Sequence, residues 1–200
     1  MIARRCTVCA GVAALAIPWR LARGQASPDD AACQPPAPSA RITASVVHLA
    51  PAQEPGERFE LRLRFRTASG APLRALLVYV YHANGSGEYV PARAATGCLR
   101  FHGALHGWAT PDAGGRVTVH TIRPGGYPRS SEPSHVHVVV QFPGHRGIYI
   151  NDTMFDDDPR LTPAIRAAQQ APGGSGVVHP VKVGGVWRAE RDVVLQQPTR

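Results

Sequence analysis

The sequence predicts an all-β fold, an antiparallel β-sandwich with one short helix near the C-terminal part. Three observations predict it. Apolar and charged residues alternate over 58–66 and apolar and polar ones over 116–122, the pattern of strands with one wet face. Turn signals separate the apolar runs, at Ser69-Gly70, Asn84-Gly85, Ala113-Gly114-Gly115 and Pro124-Gly125-Gly126, as short strands require. No βαβ alternation, long heptad or internal repeat competes with this reading.

Taken in order, residues 1–26 read as an export signal. Arg4-Arg5 precede the apolar stretch Cys9–Ile17, and Gly24-Gln25-Ala26 offers a small-residue cleavage site. The stretch is too short to span a bilayer, and no later segment is long and apolar enough to do so. The arginine pair suits a twin-arginine route and an ordinary secretory signal equally well. Cys6 and Cys9 form a C-x-x-C inside this segment and are read as part of it. Residues 27–41, with Gln34-Pro35-Pro36-Ala37-Pro38, form a Pro/Ala-rich arm rather than packed structure. Residues 42–200 form the domain, enough chain for one sizeable core.

Within the domain, Phe59, Leu61, Leu63 and Phe65 alternate with Arg58, Glu60, Arg62, Arg64 and Arg66. Ala75–Tyr81 is a nearly continuous apolar run, as in a central strand. Arg116–Ile122 alternates again, and His135–Phe142 (HVHVVVQF) is a further strand. Val177–Val183 and Trp187–Leu195 close the sheets. The helix is placed at about 160–170, after Asp158-Pro159.

Composition narrows the function. Apolar residues make up 44% of the chain and charged ones 18%, a globular balance. The formal charge of +8 falls to +4 without the first 26 residues, which hold Arg4, Arg5, Arg20 and Arg23 and no acid. The other arginines are interspersed with acids, as in Arg58-Phe59-Glu60 and Glu190-Arg191-Asp192. That is a solvated, mildly basic surface with no nucleic-acid partner. Cys33 and Cys98, an even number in an exported chain, are expected to form one disulfide that pins the arm to the domain.

Chemistry concentrates around His135-Val136-His137. On a strand, i and i+2 point to one face, so the two imidazoles converge. Alone, the pair fits a metal site or two ordinary histidines. Upstream, Ile122-Arg123-Pro124-Gly125-Gly126-Tyr127-Pro128 is a strand end entering a rigid turn, in which Gly125 and Gly126 allow positive φ and the prolines limit the backbone. Such a turn fixes the direction of the Tyr127 side chain. A phenol titrates near pH ~10, and a strongly Lewis-acidic ion such as Fe(III) is what would hold it as phenolate at neutral pH. His48, His82, His102, His106, His120, His145 and His179 form no second cluster in the sequence and are read as structural.

The full set resembles the intradiol ring-cleavage dioxygenases, the family of protocatechuate 3,4-dioxygenase and catechol 1,2-dioxygenase, over about Gly70 to Asp152. Ala71-Pro72-Leu73-Arg74-Ala75 and Val78-Tyr79-Val80-Tyr81-His82-Ala83-Asn84 resemble the strand that opens the catalytic core. Gly87-Glu88-Tyr89 matches the family's first tyrosine ligand. Gly107-Trp108-Ala109-Thr110-Pro111-Asp112 with Gly115-Arg116-Val117 resembles its Thr-Asp…Gly hairpin. Thr121–Pro128 carries the second tyrosine, and Pro133-Ser134-His135-Val136-His137 both histidines.

The resemblance implies one Fe(III) per chain, held by Tyr89, Tyr127, His135 and His137, with a solvent hydroxide as fifth ligand. Tyr89 and His137 would be equatorial, Tyr127 and His135 axial. Tyr127 would also be catalytic, leaving the metal to take a proton from a catechol-type substrate, which O2 would then cleave to a muconate-type diacid. Two positions depart from the family. Glu132 stands where an arginine usually precedes the first histidine by three residues, and Gly147 where a glutamine often precedes Ile148-Tyr149. Arg129, close behind Tyr127, is named as a substrate contact, with Arg146 as another substitute.

The chain lacks the N-terminal helical segment of the catechol 1,2-type dimers and looks like the short, exported, single-domain members; a homo-oligomer stays compatible. Two other readings compete. One is a non-catalytic binding module on the same scaffold. The other is a cupin or copper site using His135 and His137, disfavoured because Val138-Val139-Val140-Gln141 offers no glutamate ligand.

Overall fold

The computed structural model describes residues 33–93, 95–169 and 172–198, so the expected export signal lies outside the described residues. Two sheets face each other. The first runs β1 (Val46–His48), β5 (Arg116–Ile122), β2 (Arg58–Arg66), β11 (Val186–Val194), β10 (Val181–Val183). The second runs β4 (His106–Ala109), β3 (Leu77–Tyr81), β6 (His135–Gln141), β8 (Thr153–Phe155), β9 (Val177–Val178), with β7 (Ile148–Tyr149) also paired to β6. Two short helices accompany them, α1 (Leu99–His102) and α2 (Pro163–Ala168). In α2, Pro163 occupies the first turn and Thr162 Oγ1 accepts the Ile165 N–H at 3.2 Å, a side-chain cap that starts the helix.

The sandwich is all-β as expected, but its sheets are mixed. The pairs β1–β5, β2–β11 and β8–β9 are parallel. Parallel partners cannot be joined by a tight turn, so local turn signals carry no trace of them. The stretch Thr110–Gly115 is likewise no hairpin. β4 lies in the second sheet and β5 in the first, and Asp112 shapes the crossover by accepting the Gly114 and Arg116 N–H groups at 2.8 Å each. The run expected over 177–183 splits at His179-Pro180 into β9 and β10, one in each sheet. Pro180 has no N–H to continue a ladder.

Between the sheets lie Leu61, Leu63 and Phe65 of β2, Val117 and Val119 of β5, Val78 and Val80 of β3, and Val136, Val138 and Val140 of β6. Each such side chain contributes roughly 1.5–3 kcal/mol by leaving water. The opposite face of β3 and β6 is buried as well. Tyr79, Tyr81 and Val139 form a second apolar layer there, flanked by Tyr89, Trp108 and Tyr149. His135 and His137 point to that face, so the site is built on the outer side of the second sheet, under loops.

The described part of the arm has no strand or helix, but it is packed rather than a free linker. Cys33 is bonded to Cys98 with a Cα–Cα separation of 5.3 Å. Gln34 Oε1 accepts the Gly147 N–H at 3.1 Å, and Tyr149 Oη donates to the Cys33 carbonyl. The expected disulfide is present.

Candidate metal centre

The four predicted ligands come together. Tyr89 Oη lies 2.9 Å from Tyr127 Oη, Tyr127 Oη 3.0 Å from His135 Nε2, and His135 Nε2 3.1 Å from His137 Nε2. The histidines form the buried floor, at 3% exposure each. The tyrosines are half-buried and form the outer wall.

Each ring nitrogen has its role set from behind. His135 Nδ1 lies 2.7 Å from the Pro133 carbonyl, which can only accept. His137 Nδ1 lies 2.7 Å from Asp152 Oδ1. Both rings thus carry their proton on Nδ1 and turn a lone pair on Nε2 toward the centre. Two lone pairs facing each other at 3.1 Å, beside two phenol oxygens, make a donor set that a cation would satisfy. Bonds of about 2.0–2.1 Å to nitrogen put neighbouring ligands roughly 3 Å apart, so the spacing fits a single ion. Two phenols and two imidazoles suit ferric iron better than a softer or purely oxygen-seeking metal.

Glycines hold the two tyrosines side by side, for a reason other than the one the sequence suggested. Gly125 and Gly126 are not in the positive-φ region, whereas Gly87 is, at φ 79°. Close approach is what excludes side chains. A Cβ on Gly125 would collide with the Gly85 carbonyl and sit 2.8 Å from Gly87 N. One on Gly87 would collide with the Gly126 carbonyl. The turns bearing Tyr89 and Tyr127 therefore lie backbone to backbone, tied by Gly125 N–H to the Asn84 carbonyl at 3.0 Å.

Behind the histidines stands a layer that sequence reading left as structural. Tyr81 stacks on His137 at 4.4 Å and on His102 at 4.1 Å between ring centroids. His102 Nδ1 meets Tyr79 Oη at 3.1 Å. Burial pushes His102 down to about 4, with nearby His137 and His106 adding to the effect. Burial likewise holds the Tyr79 phenol above its ordinary value. His102 and His106 are indeed not presented by one helix: the first ends α1 and the second begins β4.

Asp152 was not singled out from the sequence. His135, His137 and Asp152 offer ligand atoms within 4.8 Å of one another, but the Asp152 oxygen faces His137 Nδ1, away from the ring of four. It orients His137 rather than joining the cluster of four. Burial works to raise its pKa, yet the neighbouring His137, His135 and Arg191 hold the carboxyl below its ordinary value. The bare signal for it was Asn151-Asp152 following the strand pair that carries the histidines.

Among the arginines, Arg129 and Arg146 are exposed, and Arg129 takes no part in the contacts above. The guanidinium against the Tyr127 turn belongs to Arg160: a Cβ on Gly126 would stand 2.7 Å from its Cζ. Its backbone is anchored by Asp158, whose Oδ1 accepts the Arg160 N–H at 2.9 Å and whose Oδ2 accepts from Ser134 Oγ at 2.7 Å. Glu132 is exposed.

A two-tyrosine, two-histidine cluster thus lies on the outer face of a mixed β-sandwich, a donor set that a single metal ion would fit. Residues 35–178 match a family model described as Dioxygenase, and the chain belongs to that family, in its intradiol branch. It is 28% identical over 127 residues to the chlorocatechol 1,2-dioxygenase of Rhodococcus opacus, covering 55% of this chain and 48% of that protein. The chain thus spans about half the length of this curated relative. Among solved structures, it resembles catechol 1,2-dioxygenase from Acinetobacter sp. ADP1 (TM-score 0.59, 22% identity, 79% of this chain and 60% of that one). It also resembles the dioxygenase domain of a dioxygenase carbohydrate-binding protein fusion from Streptomyces sp. SirexAA-E (0.57, 22%, 81% and 95%). A third is the intradiol ring-cleavage dioxygenase of Tetranychus urticae (0.55, 16%, 76% and 85%). At these identities the structural likenesses establish the fold.

Proposed function

We propose that this protein is an exported, non-haem Fe(III)-dependent intradiol dioxygenase, cleaving a catechol-type ring with O2 to a muconate-type diacid. The observation that carries the reading is the convergence of Tyr89, Tyr127, His135 and His137, with both imidazole protons fixed on the far nitrogen. Bound there, ferric iron would supply the Lewis acidity that makes a chelated catechol reactive toward O2.

The chain's own residues do the rest. His135 and His137 are oriented by the Pro133 carbonyl and Asp152, which hold each Nδ1 on the side away from the centre. Tyr127 sits at the half-buried wall, where its oxygen, a phenolate if a ferric ion is held there, would take a catechol proton and become the phenol as the diol binds. The Tyr81 ring behind His137 keeps water from that side of the floor. Export is supported by the Cys33–Cys98 disulfide, a bond that persists in oxidising compartments. No helix among the described residues is long and apolar enough to cross a membrane.

The test is metal analysis with a visible spectrum, before and after adding catechol, with oxygen uptake followed in parallel. The expected result is iron near one per chain, a red-brown tyrosinate-to-iron band that shifts with catechol, and O2 consumption yielding a ring-opened diacid. Phenylalanine at Tyr127 should remove most of the band and the turnover. A protein that stays colourless and inert after ferric loading would refute the proposal and favour a binding module on the same scaffold.

A further inference from the structure

The glycine turns set Tyr127 against Tyr89, but not against His135. Tyr127 Oη lies 3.0 Å from His135 Nε2, yet residues 128–132, most of the chain that joins the two, are exposed throughout. An exposed loop tolerates movement and does not by itself fix that spacing. A second connection between the two ligand-bearing segments does, and it comes from the chain that follows β8.

β8 pairs with β6, Met154 opposite His135, and residues 156–160 leave it past both segments. Asp158 grips the root of His135: its Oδ2 accepts the Ser134 N–H at 2.8 Å and the Ser134 Oγ–H at 2.7 Å. Its Oδ1 accepts the Arg160 N–H at 2.9 Å, which fixes where the Arg160 side chain starts. That side chain is half-buried and lies on Gly126, next to Tyr127, where a Cβ would collide with its Nη1. Asp157 pairs with Arg123, where β5 gives way to the Tyr127 turn, and the Arg123 guanidinium is 4.9 Å from the ring centroid of Phe155 in β8. The contacts close a circuit that runs from Tyr127 through Gly126, Arg160, Asp158, Ser134 and His135 back to Tyr127.

We propose that residues 156–160 form a clasp that sets the spacing of Tyr127 and His135, with Asp158 as its positioning residue. The inference rests on the functional reading above and extends it from the four ligands to what holds two of them in register. A carboxylate suits the task because its two oxygens face different partners, one toward each segment. Hydrogen bonds to an ionised acceptor are also roughly twice as strong as neutral ones. Burial works to raise the pKa of Asp158, yet the N–H groups of Arg160 and Ser134, the Ser134 hydroxyl and the Arg160 charge hold it below its ordinary value.

The experiment compares wild type, Asp158→Ala, Arg160→Ala and the double variant. Ferric affinity is read by competition with a chelator. The contact itself is read by nitrogen NMR of histidine-labelled apoprotein, in which the His135 Nε2 shift reports the Tyr127 hydroxyl. Removing a group that orients a metal ligand typically costs about 10–100-fold in affinity, and that loss is expected for Asp158→Ala. A circuit broken at one point is open as a whole, so the double variant should lose no more than about twofold beyond Asp158→Ala, and the His135 Nε2 resonance should move in all three variants. Asp158→Asn can accept on one side only; it opens the clasp with little change of volume, should show the same loss, and carries the test if Asp158→Ala does not fold. Wild-type ferric affinity or an unmoved His135 Nε2 resonance in Asp158→Asn would overturn the proposal and leave the segment a merely structural role. Losses that add in the double variant would overturn it too, as the mark of two independent contacts. If wild type takes up no ferric iron, the function proposed above fails, and the resonance comparison alone decides the clasp.

Discussion

Gln34 accepts the Gly147 N–H at 3.1 Å, and the same oxygen would stand 3.0 Å from a Cβ on residue 147. Val139 Cγ1 would be 2.8 Å away on the other side. The arm therefore closes the position at which the family often carries glutamine, so its loss here is tied to the arm being fastened down.

Restoring that side chain should be costly for a steric reason. Gly147→Gln is expected to destabilise the fold by about 1–3 kcal/mol, the usual cost of overpacking. Combining it with Gln34→Ala should recover part of the loss, with a coupling of at least about 0.5 kcal/mol in a double-mutant cycle read by urea unfolding. Strict additivity would show that the two side chains do not compete for one space.

Arg160, rather than Arg129, is the cation against the Tyr127 turn. If the function proposed here holds, Arg160 is the group placed to face negative charge developing on bound substrate. Arg160→Gln should lower kcat/KM for catechol by about tenfold or more, since one well-placed donor can be worth up to 10²–10³. Arg129→Gln, altering an exposed side chain, should stay within about twofold. Steady-state oxygen uptake on the two variants decides it, and equal effects would count against the assignment.

How much was legible follows from where the signals lie. β2 and β5 were readable to the residue because one face of each is wet, so period two is printed in Arg62, Arg64 and Thr118 against Leu63 and Val117. The convergence of Tyr89, Tyr127, His135 and His137 was legible through their order and their Gly-rich turns. Asp152 and His102 were not, because each acts through a ring that reaches it from another part of the chain. Arg191 was taken for surface charge beside Glu190 and Asp192, although the alternation from Ala189 to Val193 already pointed it inward. The parallel pairing of β2 with β11 leaves no local mark.

Acid should weaken the fold well before its carboxylates titrate. Burial pushes His82 down to about 4 and His102 down to about 4, from an ordinary 6.5. His82 is satisfied as the neutral ring, with Nδ1 at 2.6 Å from the Ala83 carbonyl and Nε2 at 2.7 Å from Thr121 Oγ1. A pKa depressed in the fold means the unfolded chain binds the proton first. The stabilisation is complete above pH ~6.5 and is lost as pH falls toward ~4, by about 1.4 kcal/mol per pH unit and histidine. Urea midpoints from pH 7 to 4.5 should show this slope, and His82→Gln should remove about half of it. A flat profile over that window would mean that the two rings take up protons alike in the folded and the unfolded chain.

The Cys33–Cys98 bond closes a loop with a separation of 65 residues, for which chain entropy gives a stabilisation of up to about 4 kcal/mol. Its local effect is larger in consequence. The Cys33 carbonyl receives Tyr149 Oη, and Gln34 covers Gly147. Replacing both cysteines by alanine should lower global stability by about 2–4 kcal/mol. It should also let the arm open independently, so that the Gly147 amide exchanges with solvent far faster than the amides of β6. Hydrogen exchange on the double variant separates the two effects. If Gly147 stays as protected as in the oxidised protein, the arm is held by its hydrogen bonds alone and the disulfide acts only on the unfolded chain.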